Sequence, residues 1–270
     1  MGNLIKMDFY RMRKGKSFIV NLIIVSVFSV TYAPVIKLIV AIMNKFVKSQ
    51  TKIGDDSSAA GGMIEFEKTV NISELISSPF CLKILLLMLF ISIISFTYAD
   101  IANGYVKNIA GQLPKRGYTV VSKFIVMAIH NTIFMICALV GRIVGELLVR
   151  SITFDDGFTR SLITFVLKLI LLQSICSILL FVTTGLGNKT FASVVGVIVS
   201  TGVLGGIYMG LDYLAARFLN AEDSYFIKNA PDQLLSVEKV AIINAILVSG
   251  AIIAIFLPLT IKLFNKKDVK

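Results

Sequence analysis

Charge is scarce in this chain: 16% of its 270 residues are Asp, Glu, Lys or Arg, where a soluble domain carries about a quarter. With 56% hydrophobic residues and a mean hydropathy of +0.84, that scarcity excludes an ordinary water-soluble domain. Histidine occurs once, at His130, and H-E-x-x-H is absent. A His-rich metal site and an intramembrane zinc protease are thereby excluded. Cysteine occurs three times, at Cys81, Cys137 and Cys176, each inside an apolar run. The odd number and wide spacing fit neither a disulfide framework nor a zinc site. No low-complexity tract or internal repeat is visible, and no length remains for a soluble catalytic domain.

What the chain does have is long apolar runs. Taking about 20 residues per crossing, the sequence predicts an all-α integral membrane protein with six transmembrane helices in a single transmembrane domain over 1–270. The expected spans are 17–43, 80–98, 124–148, 161–184, 191–211 and 239–264. The first is too long for a secretory signal and has no small-residue cleavage site, so it reads as an uncleaved span, kinked near Pro34. The stretch 44–78 between the first two spans is polar, and its role is not legible.

The net charge of +11 is a topological signal. With the N-terminus inside, the inner segments carry fourteen bases against three acids, Asp8, Asp100 and Asp268; the outer segments carry nine bases against twelve acids. Basic residues collect on the cytoplasmic face of membrane proteins, which predicts cytoplasmic termini and removes any need to invoke nucleic acid.

Two segments read as amphipathic helices at the inner face. In the first, Ile5, Phe9 and Met12 recur at helical spacing among Lys6, Arg11 and Arg13, so a basic interfacial helix should precede the first span. In the second, ADIANGYVKNIAGQLPKRGY, Ile101, Tyr105 and Ile109 share one face, with Asn103, Lys107 and Asn108 on the rest. A plain interfacial loop helix fits the same pattern.

An N-terminal basic helix (NLIKMDFYRMRKGKSF), six spans and the inner helix FTYADIANGYVKNIAGQLPKRG together resemble the type-2 permease of bacterial ATP-binding cassette (ABC) exporters. The similarity is strongest to the small Gram-positive permeases of bacteriocin, lantibiotic or toxic-peptide export and immunity. It is architectural; its best motif is Asp100 with Asn103-Gly104-Tyr105 and Lys107-Asn108. The resemblance implies a coupling helix over 99–113, with Asp100, Ile101, Asn103, Gly104, Tyr105, Lys107 and Asn108 docking into a dimer of a separate ATPase. It implies a second permease copy or a paralogue, short re-entrant helices before the last span, and a bacterial cytoplasmic membrane. No catalytic residue is expected in this chain, and no cofactor: ATP and Mg would be bound by the partner. The cargo and the purpose, secretion or self-protection, stay open. The alternative is the substrate-binding membrane subunit of a vitamin-type ABC importer, which would not need the inner helix.

Further candidates are polar or small residues inside spans. The run Gly185–Thr190 looks like the end of a phosphate-binding loop, but Asn188 stands where a glycine belongs and no strand precedes it, so it reads as a tight turn. Arg142 and Glu146 are spaced to pair on one helical face. Lys168 lies about 10 Å into its span at 1.5 Å per residue, and these residues, with His130 as a further candidate, could form a polar gate centred on Glu146. Lys37 and Lys83, near span ends, can snorkel. His130, with Asn131, is expected to hydrogen-bond between helices. Gly202, Gly206 and Gly210 form a small-residue ridge on the fifth span, suited to close helix packing between or within subunits.

Overall fold

The computed structural model describes residues 1–51, 67–77, 83–105, 116–219, 228, 230–236 and 242–266. The interfacial helix α1 (Gly2–Lys14) is followed, after Gly15 alone, by the long α2 (Lys16–Thr51). A short strand β1 (Thr69–Asn71) and α3 (Ile72–Ser77) precede α4 (Lys83–Ala102). Helix α5 (Gly117–Leu147), strand β2 (Ser151–Thr153) and α6 (Phe158–Leu180) come next, and α6 continues as a π-helical turn over Phe181–Leu186. The chain then forms α7 (Lys189–Thr201), α8 (Leu204–Leu219), α9 (Pro231–Ser236) and α10 (Ile242–Lys266). Among the described residues, five helices are long and apolar enough to cross a bilayer.

Many serines and threonines are tolerated in these helices because their hydroxyls are satisfied locally. Ser26 donates to the Leu22 carbonyl at 2.8 Å, Thr97 to Ile93 at 2.9 Å and Thr183 to Leu179 at 2.8 Å, each one turn back. In hydrocarbon an unmet polar group costs several kcal/mol, so a serine or threonine that bonds its own helix can be buried. Helix α6 forms the centre: 67% of its most apolar window is buried, against 22% for α2 and 11% for α10, whose outer faces remain bare. Its Leu171, Leu172, Ile175 and Leu179 pack with Leu89, Phe90 and Ile93 of α4 and with Phe134 and Met135 of α5.

The tightest helix contact lies between α2 and α5. A side chain on Gly141 would stand 2.8 Å from the Ser29 Cβ and 3.2 Å from the Ser26 carbonyl, and one on Gly145 would overlap the Val30 carbonyl. Gly141-x-x-x-Gly145 is therefore the small-residue ridge on which backbones meet, a pattern the reading of the third span overlooked. Gly145 also touches a place inside α2 where an acceptor is spare. Pro34 lies inside α2 and has no N–H to give to the Val30 carbonyl.

The chain's course through the bundle can be followed from end to end. The C-terminal turn of α4 meets α1 and the start of α5, through Asp100, Arg11 and Lys123. Gly117 abuts Ile261 and Asn265 of α10, and Gly185 approaches Leu263. The N-terminal helix, the last turn of α10 and the end of α6 thus share one end of the bundle, here the terminal end. Between residues 186 and 242 the chain has to reach the opposite end. Helix α7 runs towards that end alongside α4: Lys189 lies 6.0 Å from the Tyr98 ring, and the C-cap Gly202 lies against the Lys83 ammonium.

The expected continuous fifth span, 191–211, is therefore corrected. Thirteen residues of α7 cover about 20 Å at 1.5 Å per residue, short of the ~30 Å hydrocarbon core. The chain then bends by 74° into α8. Gly202 makes the break, with φ +77°, a backbone conformation that favours glycine. Lys83 places a cation at the α7 C-terminus, where the helix dipole favours one.

At the far end β1 and β2 pair in parallel, with Thr69, Val70 and Asn71 opposite Ser151, Ile152 and Thr153. Ser73 hydrogen-bonds Asp155 at 2.5 Å beside them. The sequence reading expected no strand there.

Candidate functional site

The densest polar cluster of the described residues sits at the terminal end, where α1, α4 and α5 converge. Helix α1 buries Leu4, Asp8 and Met12, one residue per turn, with Ile5 and Phe9 half-buried beside them. The expected stripe of Ile5, Phe9 and Met12 is thus rotated so that an acid faces inward. Asp8 accepts a 2.5 Å hydrogen bond from the Ser122 hydroxyl of α5 and lies 3.8 Å from Arg11. Burial is the dominant influence on Asp8 and pushes its carboxyl above the usual range. Repulsion from Asp100 acts in the same sense, while the Ser122 hydrogen bond and the charges of Lys123 and Arg11 oppose it.

Asp100 stands at the centre. It is 2% exposed and binds the Arg11 guanidinium at 2.5 Å and the Lys123 ammonium at 3.1 Å. Lys123, fully buried, also donates to the Thr97 carbonyl at 2.8 Å. Two acids thus face two bases, and the charges balance locally. A buried carboxylate persists in such a place only when it is paired and hydrogen-bonded. The Arg11 guanidinium lies 3.7 Å from the centre of the Tyr105 ring, and the Tyr105 hydroxyl contacts the Met7 sulfur at 2.6 Å. The cluster therefore fastens α1 to the segment leaving α4.

Of the helix expected over 99–113, only residues 99–105 are described, and there the chain departs from it. Asp100 and Ile101 belong to α4, which runs to Ala102, four residues past the expected end of the second span. Asn103 is exposed, and the chain turns at Gly104, φ +65°. Tyr105 is half-buried and turned towards α1. Lys107 and Asn108 lie outside the described residues.

The candidates inside the spans have the following surroundings among the described residues. Glu146 is buried and pairs with Arg150 at 3.3 Å, not with the expected Arg142. The Arg142 guanidinium lies 6.0 Å from the Tyr32 ring instead. Lys168 is buried in α6 at 1% exposure. His130 meets Ser92 of α4 at 3.2 Å and lies against the Phe18 ring, with centroids 5.2 Å apart. Asn131 donates to Gln173 of α6 at 2.8 Å, and Gln173 donates to the Phe124 carbonyl at 2.9 Å. His130 and Asn131 therefore make the interhelical hydrogen bonds that their position suggests. The glycine ridge is interrupted: Gly202 ends α7, and among the described residues of this chain a side chain on Gly206 or Gly210 would meet nothing within 4 Å.

The sequence reading counted Arg11 and Lys123 as inner-face bases and missed their pairing with Asp8 and Asp100. One signal was available. On a segment set dominated by bases, each acid is an exception that calls for a partner, and two of the three such acids are Asp8 and Asp100.

Among the described residues no group of three or more His, Cys, Asp or Glu side chains is placed to hold a metal ion. The fold defines a predominantly helical multi-pass membrane protein with a buried ionic cluster at its terminal end. Set against known proteins, the chain matches no family model and no curated protein.

Proposed function

We propose that this chain is the permease subunit of an ATP-driven ABC exporter, moving peptides or other amphipathic compounds across a bacterial cytoplasmic membrane. In this reading the terminal end faces the cytoplasm, as the distribution of bases suggests. ATP and Mg are bound by a separate ATPase dimer, and a second permease, identical or paralogous, completes the path. The chain itself performs no covalent chemistry.

The observation that carries the reading is the bond network from Arg11 to Asp100, Lys123 and Tyr105. A coupling segment works only if force applied to it reaches the spanning helices. Here Tyr105, in the connection after α4, is held against Arg11 of the interfacial helix, and Arg11 is joined through Asp100 of α4 to Lys123 at the start of α5. Movement at 103–105 would be passed to three helices together. A partner that binds one arrangement of this end better than another shifts the permease by that difference in affinity. In this arrangement Tyr105 transmits within the chain, and the exposed Asn103 with the residues that follow would meet the ATPase.

The test is affinity purification of the tagged chain from its native membrane in mild detergent. A soluble ATPase should co-purify with the wild type. It should be lost from Gly104→Pro, because proline cannot adopt φ +65°, while membrane insertion persists. A wild-type preparation that brings down no ATPase, after chemical cross-linking as well, overturns the exporter reading.

A further inference from the structure

A cavity of about 490 Å³ opens at the terminal end between the α1–α2 junction and α4. Its size falls within the range of small-molecule sites, roughly 300–1,000 Å³. Its two halves differ in chemistry. The outer rim is formed by Lys14, Gly15, Lys16 and Ser17, where the chain passes from the interfacial helix into α2. Deeper in, the walls are Phe18, Phe96 and Ser95. Ser92, also in the wall, lies about 12 Å along α4 from Asp100, at 1.5 Å per residue.

The charge balance of the cavity decides its ligand. Asp100 is in the wall, but its two oxygens are already held by Arg11 and Lys123. Arg11 is likewise engaged by Asp100. Lys14 and Lys16 remain, both exposed, and neither is among the ion pairs of the described residues. Lys14 stands 4.9 Å from the Tyr10 ring. The mouth is therefore cationic and the interior apolar. An occupant that satisfies both has a negative head and a hydrocarbon tail, and it arrives from the bilayer in which α2 and α4 stand. A cationic peptide fails the first condition, and a free phosphate leaves the aromatic half unfilled.

We propose that this cavity binds one anionic phospholipid, its phosphate at Lys14, Lys16 and the Ser17 hydroxyl, and an acyl chain lying between Phe18 and Phe96. The inference does not rest on the transport reading. It makes the α1–α2 junction a lipid-sensing element, because the same residues connect the ionic cluster to the first long helix.

The test is native mass spectrometry of the purified full-length protein exchanged into micelles containing phosphatidylglycerol and phosphatidylcholine in equal amounts. The wild type should retain one phosphatidylglycerol per chain in preference to phosphatidylcholine. Lys14→Gln with Lys16→Gln should weaken retention about 30-fold, roughly fivefold per lysine near an anionic lipid. Ser95→Phe, which keeps both lysines and fills the apolar half, should abolish retention. Helicity and a monodisperse elution profile check the fold; should Ser95→Phe not fold, Ala99→Phe, one turn further along the same wall, replaces it. Equal retention of the two lipids overturns the proposal. So does loss in the lysine variant with full retention in the filled-cavity variant, which would show surface attraction alone. Displacement of the lipid by glycerol phosphate as readily as by phosphatidylglycerol would show that the apolar half binds nothing.

Discussion

Pro34 of α2 and Gly145 of α5 act on the same carbonyl, that of Val30. The proline deprives that oxygen of its helical donor, and the glycine leaves room for the oxygen to meet the backbone of α5. A Cα–H···O contact of this kind is worth about 0.5–1 kcal/mol. It also explains how a proline sits inside an unbroken helix at a tightly packed seam.

Gly145→Ala tests the seam. Alanine would gain up to about 1 kcal/mol of helix propensity over glycine. The new methyl would overlap backbone rather than a movable side chain, and overpacking of that kind costs about 1–3 kcal/mol. The second effect should win, lowering the thermal midpoint of the detergent-solubilised protein. A midpoint equal to or above the wild type would show that α2 and α5 are not in close contact.

The Asp100–Lys123 pair lends itself to a double-mutant cycle. Removing one partner leaves the other buried without its counter-charge, at about 3–5 kcal/mol. Asp100→Leu and Lys123→Met should each be strongly destabilising. The double variant, which leaves neither member of the pair buried without the other, should be milder than either single change. Additive losses in denaturant titrations would mean that the two groups do not share an interaction.

Asp8 gives the terminal end a pH dependence with a definite sign. Its carboxyl is raised above 3.8 in the folded protein, chiefly by burial, so folding favours the protonated form. Between pH 3.8 and the raised value the folded chain keeps a proton that the unfolded chain has lost. Stability therefore falls as pH rises through that window. Asp8→Asn retains an acceptor for Ser122 and should flatten this slope while gaining stability above the window, as measured by thermal unfolding across pH 4–7. An unchanged slope would locate the dependence elsewhere.

Two glycines of the expected ridge should now part company. Gly202→Ala places a side chain at φ +77°, which costs about 1–2 kcal/mol, and it forces the Lys83 ammonium aside. Gly206→Ala meets no neighbour among the described residues and should leave stability unchanged or slightly raised. Equal losses at both sites would restore the ridge to a single packed face.

Tyr105→Phe keeps the aromatic face under Arg11, whereas Tyr105→Ala removes it. A cation–π contact is worth about 0.5–2 kcal/mol. Hydrogen exchange of the α1 amides should rise with alanine and change little with phenylalanine. Equal protection in all three proteins would show that Tyr105 does not anchor α1.

Several features were legible because they depend on composition over a window. The long apolar runs located five of the helices, since a chain in lipid must close every backbone hydrogen bond within a helix. Helix ends were less legible. Asp100 reads as the start of a polar loop, yet α4 continues past it, because the adjacent helices supply Arg11 and Lys123 and make its burial tolerable. A pairing rule within one helix joined Glu146 to Arg142; at the end of α5 Arg150 is equally spaced and is the residue that meets it.

The sequence by itself determined that this protein is helical, crosses a membrane several times, and carries an amphipathic basic helix before its first span. Those properties follow from hydropathy and periodicity, which act along the chain. Tertiary structure alone decided which glycines are packed, where the fifth crossing breaks, and that Asp8 faces inward to meet Ser122. It also brought Asp100 between a lysine 23 positions later in the chain and an arginine 89 positions earlier. Such choices turn on groups from distant segments sharing one low-dielectric space, and no local pattern encodes which of them will meet.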